Sequence, residues 1–194
     1  MMGGSYAGNA GVFLVQTLFG LYMGAILLRF LLAVVRADFY NPISQFLVKI
    51  TNPLLVPLRR VIPSLGRIDM ASLVLLLILQ ILELLATGLI SGVSFQPIGL
   101  VILAVAELLS LLFQIYFFTI LIQVVLSWVS PGGHNPAVSL LYSLNEPVLG
   151  RARRILPPIH GFDLSPIVAL IVIQLLTILL VAPISDLGRG LAFG

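Results

Sequence analysis

Cysteine is absent from the 194-residue chain, which excludes disulfides, thiolate metal sites and cysteine nucleophiles. Charge is nearly as scarce. Asp, Glu, Lys and Arg make up 9% of the residues, against about 25% in an average soluble domain. With 60% hydrophobic residues and a mean hydropathy of +1.18, a soluble domain built around a large core is excluded as well. The opening MMGGSYAGNAG has no basic n-region, and the apolar run behind it is too long for a signal-peptide core. No G-x-S-x-G, Walker loop or glycine-rich dinucleotide fingerprint occurs, so neither an enzyme nor a cofactor is expected. The two histidines, His134 and His160, are not at a metal-ligand spacing and read as loop residues. Net charge is +3, but most of the ten basic residues stand beside apolar runs. Anionic lipid headgroups are the expected counterions, with no direct nucleic-acid binding.

What is present is four long apolar runs: Val12–Val35, Met70–Ile90, Ile98–Val129 and Leu164–Ile184. Lipid offers the backbone no hydrogen-bond partner, so each run is expected to be a membrane helix. The third exceeds the length of one span and implies tilt or an extension beyond the bilayer. Asp69 and Asp163 stand where N-caps belong, before the second and fourth helices.

The chain repeats itself. Asn41-Pro42 recurs 94 residues later as Asn135-Pro136. In the same ungapped frame Pro53 meets Pro147, Arg59-Arg60 meets Arg153-Arg154, Asp69 meets Asp163, and Gln80 meets Gln174. The expected fold class is an all-α membrane protein: four transmembrane helices arranged as two parallel helix–amphipathic helix–helix repeats, residues 1–96 and 97–194. Asn41 and Asn135 fit as N-caps, with Pro42 and Pro136 at the first helical position. The amphipathic helices are expected over about 42–51 and 136–145, with apolar stripes Ile43, Phe46, Leu47, Ile50 and Val138, Leu141, Leu144. Both should lie in the membrane interface and stop before Pro53 and Pro147.

Eight of the ten basic residues (Arg36, Lys49, Arg59, Arg60, Arg67, Arg151, Arg153, Arg154) fall in the two loops within the repeats. Positive-inside counting puts these loops in the cytoplasm and both termini outside, in a multi-pass protein of a bacterial inner membrane. Two spans per repeat give both copies one orientation, related by a pseudo-two-fold along the membrane normal.

The pattern NP…P…RR..P…D, followed by an apolar helix with a central Gln and occurring twice, resembles the YggT family of small integral membrane proteins. LSWVSPGGHNP (Leu126–Pro136), NEPVLGRARRILPP (Asn145–Pro158) and GFDLSPIVALIVIQLL (Gly161–Leu176) carry the resemblance, which extends over about Arg29 to Leu179. The first repeat departs from the second in having Arg36-Ala37-Asp38 for Ser130-Pro131-Gly132, Asn52 for Glu146 and Arg29 for Gln123. The resemblance implies osmotic tolerance and potassium uptake, cell-division or nucleoid-distribution functions, or, from plastid relatives, haem attachment to a cytochrome. It implies no catalytic residues.

Glu83 and Glu107 are the carboxylates at hydrocarbon depth, each about 14–15 Å from the outer turn. An intramembrane acid marks a functional site by default; the alternative is a neutral Glu hydrogen-bonded within the bundle. Gln80 and Gln174 read as interhelical hydrogen-bonding glue or a polar pore lining. Arg29 reads as a snorkelling anchor, and Gln16, Gln114 and Gln123 show no pattern. Arg59, Arg60, Arg151, Arg153 and Arg154 are expected to face lipid headgroups or a partner. Four spans give few walls for a pore, so either several copies assemble or the chain joins a larger membrane complex. Two functions are expected from different classes: cation homeostasis in osmotic adaptation through Glu83 and Glu107, or a non-catalytic scaffold or assembly factor. The spans show no broken helix, which favours the scaffold.

Overall fold

The structure, a computed structural model, describes residues 6–66, 68–129, 135–157 and 163–193. Arg67, His134, His160 and the Ser130-Pro131-Gly132 stretch lie outside them. In chain order come α1 (Tyr6–Val34), α2 (Pro42–Val61), α3 (Met70–Ser91), α4 (Pro97–Val129), α5 (Pro136–Ile155) and α6 (Ser165–Leu176). A π-helical turn (Thr177–Val181) then leads directly into α7 (Ala182–Phe193). Four helices are long and apolar enough to cross a membrane: α1, α3, α4 and the continuous run Ser165–Phe193. The first span begins at Tyr6, ahead of the expected Val12, and the last continues well past Ile184.

The repeat is visible residue for residue. The bounds of α2 and α5 differ by the same 94 residues as the sequence frame. Asn41 and Asn135 both cap, their side chains accepting from the N–H groups of Ile43 and Ala137. Ile26 and Leu55 are buried in one core; their counterparts Ile120 and Leu149 are buried in another. Leu140 and Leu144 of α5 join the first core, so the second amphipathic helix ties the copies together. Helix ends are set locally. Arg36 and Gly92, both in the left-handed region, close α1 and α3 with paired bonds from the next turn back.

Neither amphipathic helix stops at its proline. Helix α2 runs through Pro53 and Pro57, and α5 through Pro147. A proline removes one backbone donor, yet neighbouring helices and side chains can compensate the freed groups. Pro53 frees the Lys49 carbonyl and Pro57 the Pro53 carbonyl; the turn before them is held instead by side chains, Thr51 Oγ1 donating to Leu47 O, Tyr22 to Ile50 O and Arg29 to Val48 O. All three proline rings lie on exposed faces, where the helix can bend without disturbing its packed side. The face of α2 packed on protein is Ser44, Leu47, Thr51 and Leu55, while Phe46 stays 60% exposed. Of the expected stripe, Leu47 alone is fully buried.

The spans also contain a break. Pro183 would press its ring against the carbonyl four residues back, and the wider π turn spanning Leu179 relieves that clash. Beyond it, α7 packs along α4. Glycine makes this contact close: a Cβ on Gly99 would lie 2.5 Å from the Leu191 carbonyl carbon and nearer still to the Ala192 backbone. Phe95 and Phe193 pack nearby in a tilted pair with centroids 5.3 Å apart, and Gln96 N–H donates to Ala192 O.

Contacts between the copies are not reciprocal. Helix α1 touches α5, but α2 does not touch α4; α3 packs on α4, but α1 does not pack on α6 or α7 among the described residues. The pseudo-two-fold expected from topology is therefore not a symmetry of the packing.

Candidate intramembrane carboxylate site

Glu83 on α3 and Glu107 on α4 line one cleft of about 240 Å³, together with Gln16, Gln80, Ser110 and Gln114. The adjacency of α3 and α4 across their short connecting turn puts both acids on the same wall. Glu107, Ser110 and Gln114 follow at i, i+3 and i+7 on one helical face, a spacing that could have exposed the group in the sequence. Gln16 enters from α1, beside Gly20 and Met23.

The two acids have different surroundings. Glu83 is buried, and its Oε2 accepts from Gln80 Nε2 at 2.7 Å. Thr87 Oγ1 donates to the Glu83 backbone carbonyl and so fixes the turn beneath it. Glu107 is exposed on the open side of the cleft, where Gln114 Nε2 donates to Ser110 Oγ at 3.3 Å. One acid is held and the other accessible, surrounded by amides and a hydroxyl inside three apolar helices. Such a group can accept a proton or replace part of a monovalent cation's water shell. Among the described residues no group of three or more His, Asp or Glu could hold a metal ion.

Gln80 and Gln174 do not meet. Gln80 is committed to Glu83 in its own helix, while Gln174 is exposed on α6. Thr177 occupies Glu83's place in the second repeat and bonds back to Ile173 O, so no carboxylate is available there for Gln174.

The basic elbows repeat a second motif. Arg59 binds Asp69 Oδ2 through Nε at 3.1 Å and Nη2 at 2.5 Å; Arg153 Nε binds Asp163 Oδ2 at 3.0 Å. Arg153 also takes Glu146, which stands where the first copy has Asn52. Asp69 occupies the cap position of α3 without capping backbone: its Oδ2 accepts from Arg59 and Ser72 Oγ, and its buried Oδ1 has no partner. Asp163 does accept a backbone N–H, from Ser165, one residue ahead of the formal cap. Burial pushes the Asp69 carboxyl up, but Arg59 and Ser72 outweigh it and hold it below the usual range. Asp163 is likewise held low, its burial outweighed by Ser165 and Arg153. Glu146 first, then Asp163 against the effect of burial, keep Arg153 more firmly protonated than usual. Arg60, Arg151 and Arg154 are exposed.

A third repeated feature escaped the sequence reading. Arg29 Nη1 donates to Thr51 Oγ1 at 2.5 Å, joining α1 to α2. In the same frame Gln123 Oε1 accepts from Asn145 Nδ2 at 2.8 Å, joining α4 to α5, and Thr119 donates to Asn145 Oδ1. Two polar residues facing two polar residues 94 positions on was the available signal.

Comparison with known proteins agrees with this doubled architecture. A protein of Pseudomonas aeruginosa is 44% identical over 175 residues, 89% of either chain. One of Vibrio alginolyticus is 41% identical over 169 residues, 86% of this chain and 90% of its own. YggT of Escherichia coli K12 is 39% identical over 168 residues, 87% of either. All three are described as uncharacterised. No solved structure matches the chain. The CCB3/YggT family pattern matches residues 8–90 and again residues 102–184, one match per repeat, and the chain belongs to that family.

Proposed function

We propose that this protein supports potassium homeostasis or osmotic adaptation, holding a proton or monovalent cation at the Glu83–Glu107 cleft partway across the bacterial inner membrane. The observation carrying this reading is the convergence of two carboxylates, three glutamines and a serine on one cleft between apolar spans. Placing a carboxylate at that depth is costly, and a lone structural acid would not need an accessible second one beside it. The basic elbows, under positive-inside counting, face the cytoplasm, which leaves the cleft nearer the outer turn. No covalent step belongs to this reading.

Potassium and proton flux in proteoliposomes tests it. Glu107→Gln should lower flux at least ten-fold, and Glu83→Gln should lower it and change its pH dependence. Vesicles silent to both ions, with a stable co-purifying membrane partner, would overturn the reading in favour of a non-catalytic scaffold. Orientation has its own test, made direct by the absence of native cysteine. Arg60→Cys and Arg154→Cys should label from the same side of the membrane; labelling from opposite sides removes the topology.

A further inference from the structure

Arg29 is 6% exposed and lies near the basic-loop end of α1. Its Nη1 is used twice, on Thr51 Oγ1 and on Val48 O at 3.4 Å, and neither acceptor is anionic. No carboxylate lies within ion-pair distance of it among the described residues. The Nε and Nη2 donors have no acceptor there either, and the side chain keeps 6% of its surface open. A guanidinium has five N–H donors in a planar fork suited to bidentate phosphate. Leaving that fork buried beside lipid without a counter-charge is costly.

No charge around it supplies one in contact. Among the described residues Arg59 and Asp69 act on Arg29 through space, and they are paired with each other. Arg29, Arg59 and Asp69 together carry one net positive charge. The equivalent set in the second repeat, neutral Gln123 with Arg153, Glu146 and Asp163, carries one net negative charge. These two matched sets thus differ by two charges. Helix α2, which receives Arg29, exposes Phe46 and Ile43 on the side away from its protein contacts. That geometry belongs to a helix lying at headgroup level, where phosphate is the abundant anion.

We propose that Arg29 is the centre of a binding site for the phosphate of an anionic phospholipid at the elbow of the first repeat. Nε and Nη2 take the phosphate oxygens, Thr51 and Val48 hold Nη1 in place, and Arg59 adds positive field. The second elbow replaces the cation with an uncharged amide pair and lacks the site.

The repeat supplies its own test variants. Arg29→Gln with Thr51→Asn rebuilds in the first elbow the neutral pair already present in the second. Lipid retained by the purified chain from micelles containing phosphatidylglycerol or phosphatidylcholine is counted by native mass spectrometry and titrated. The wild-type chain should prefer phosphatidylglycerol, and the double variant should bind it about five-fold more weakly, the ratio one charge near a membrane surface is worth. The converse transplant, Gln123→Arg with Asn145→Thr and Glu146→Asn, should add a second bound phosphatidylglycerol. Unchanged phosphatidylglycerol binding in the double variant, or equal retention of phosphatidylcholine, overturns the site. Displacement of the lipid by millimolar inorganic phosphate overturns its assignment to a phospholipid. If the double variant does not fold, the transplant decides: no added phosphatidylglycerol refutes the proposal.

Discussion

Gly99→Ala puts one methyl group where α4 and α7 meet backbone to backbone. Its Cβ would stand 2.5 Å from the Leu191 carbonyl carbon, about 0.9 Å short of the 3.4 Å at which ordinary contact begins, and closer still to Ala192. Backbone atoms cannot rotate away as a side chain can, so the two helices must part. Parting also loosens Gly188 against Leu103, one turn further along the same crossing. Overpacking a close contact costs about 1–3 kcal/mol, and this site belongs at the upper end. Alanine returns at most about 1 kcal/mol through helix propensity. The expected net loss is about 2 kcal/mol. Gly190→Ala is the control, since its Cβ would meet nothing within 4 Å and should be neutral or stabilising by under about 1 kcal/mol. Unfolding both variants in mixed micelles by stepwise addition of dodecyl sulfate, followed by circular dichroism, measures the difference. Equal midpoints for Gly99→Ala and Gly190→Ala would refute the close-approach reasoning.

Acid should weaken the fold through the elbows. Asp69 and Asp163 are held below the usual carboxylate range, so their contribution is complete above about pH 4 and is lost as pH falls through their lower folded values. Unfolding midpoints of the wild type should drop as the pH falls below about 4, and Asp69→Asn with Asp163→Asn should flatten that drop; parallel curves would contradict it. The two cap asparagines should differ in cost. Asn135→Ala loses one cap, about 1 kcal/mol, whereas Asn41→Ala also loses the bond from its Nδ2 to Pro136 O across the repeats, about 1 kcal/mol more. Equal destabilisation in the same micelle assay would show that this bridge contributes nothing.

Much of the architecture was open to inspection in the sequence because its causes are local or periodic. Asn41-Pro42 and Asn135-Pro136 cap in the way their residue types dictate, and the 94-residue frame needs no tertiary knowledge. Pro53 and Pro147 misled because a proline's local cost says nothing about the side chains nearby; Tyr22, Arg29 and Thr51 reach Ile50, Val48 and Leu47 from positions the local rule does not consider. The π turn was hidden for a related reason: Pro183 can end, bend or widen a helix, and packing against α4 selects among these outcomes. At the site, equal depth brought Glu83 and Glu107 under suspicion as a pair. Gln16 could not be added, since its approach depends on how α1 lies against α3 and α4. Gln80 and Gln174 looked alike in the frame but diverged because Glu83 has Thr177 as its counterpart.

The wide turn at Thr177–Val181 also sets the phase of everything behind it. Winding the same residues as ordinary α-helix would advance the remaining chain by about one residue, or about 100°. Gly188 and Ala192 would then rotate off their seat on α4 and leave bulkier side chains in their place. Leu175, Ile178 and Leu179 face outward and could be exchanged freely for other oily residues, while a single deletion among them would close the wide turn and put the Pro183 ring back against the carbonyl four residues earlier.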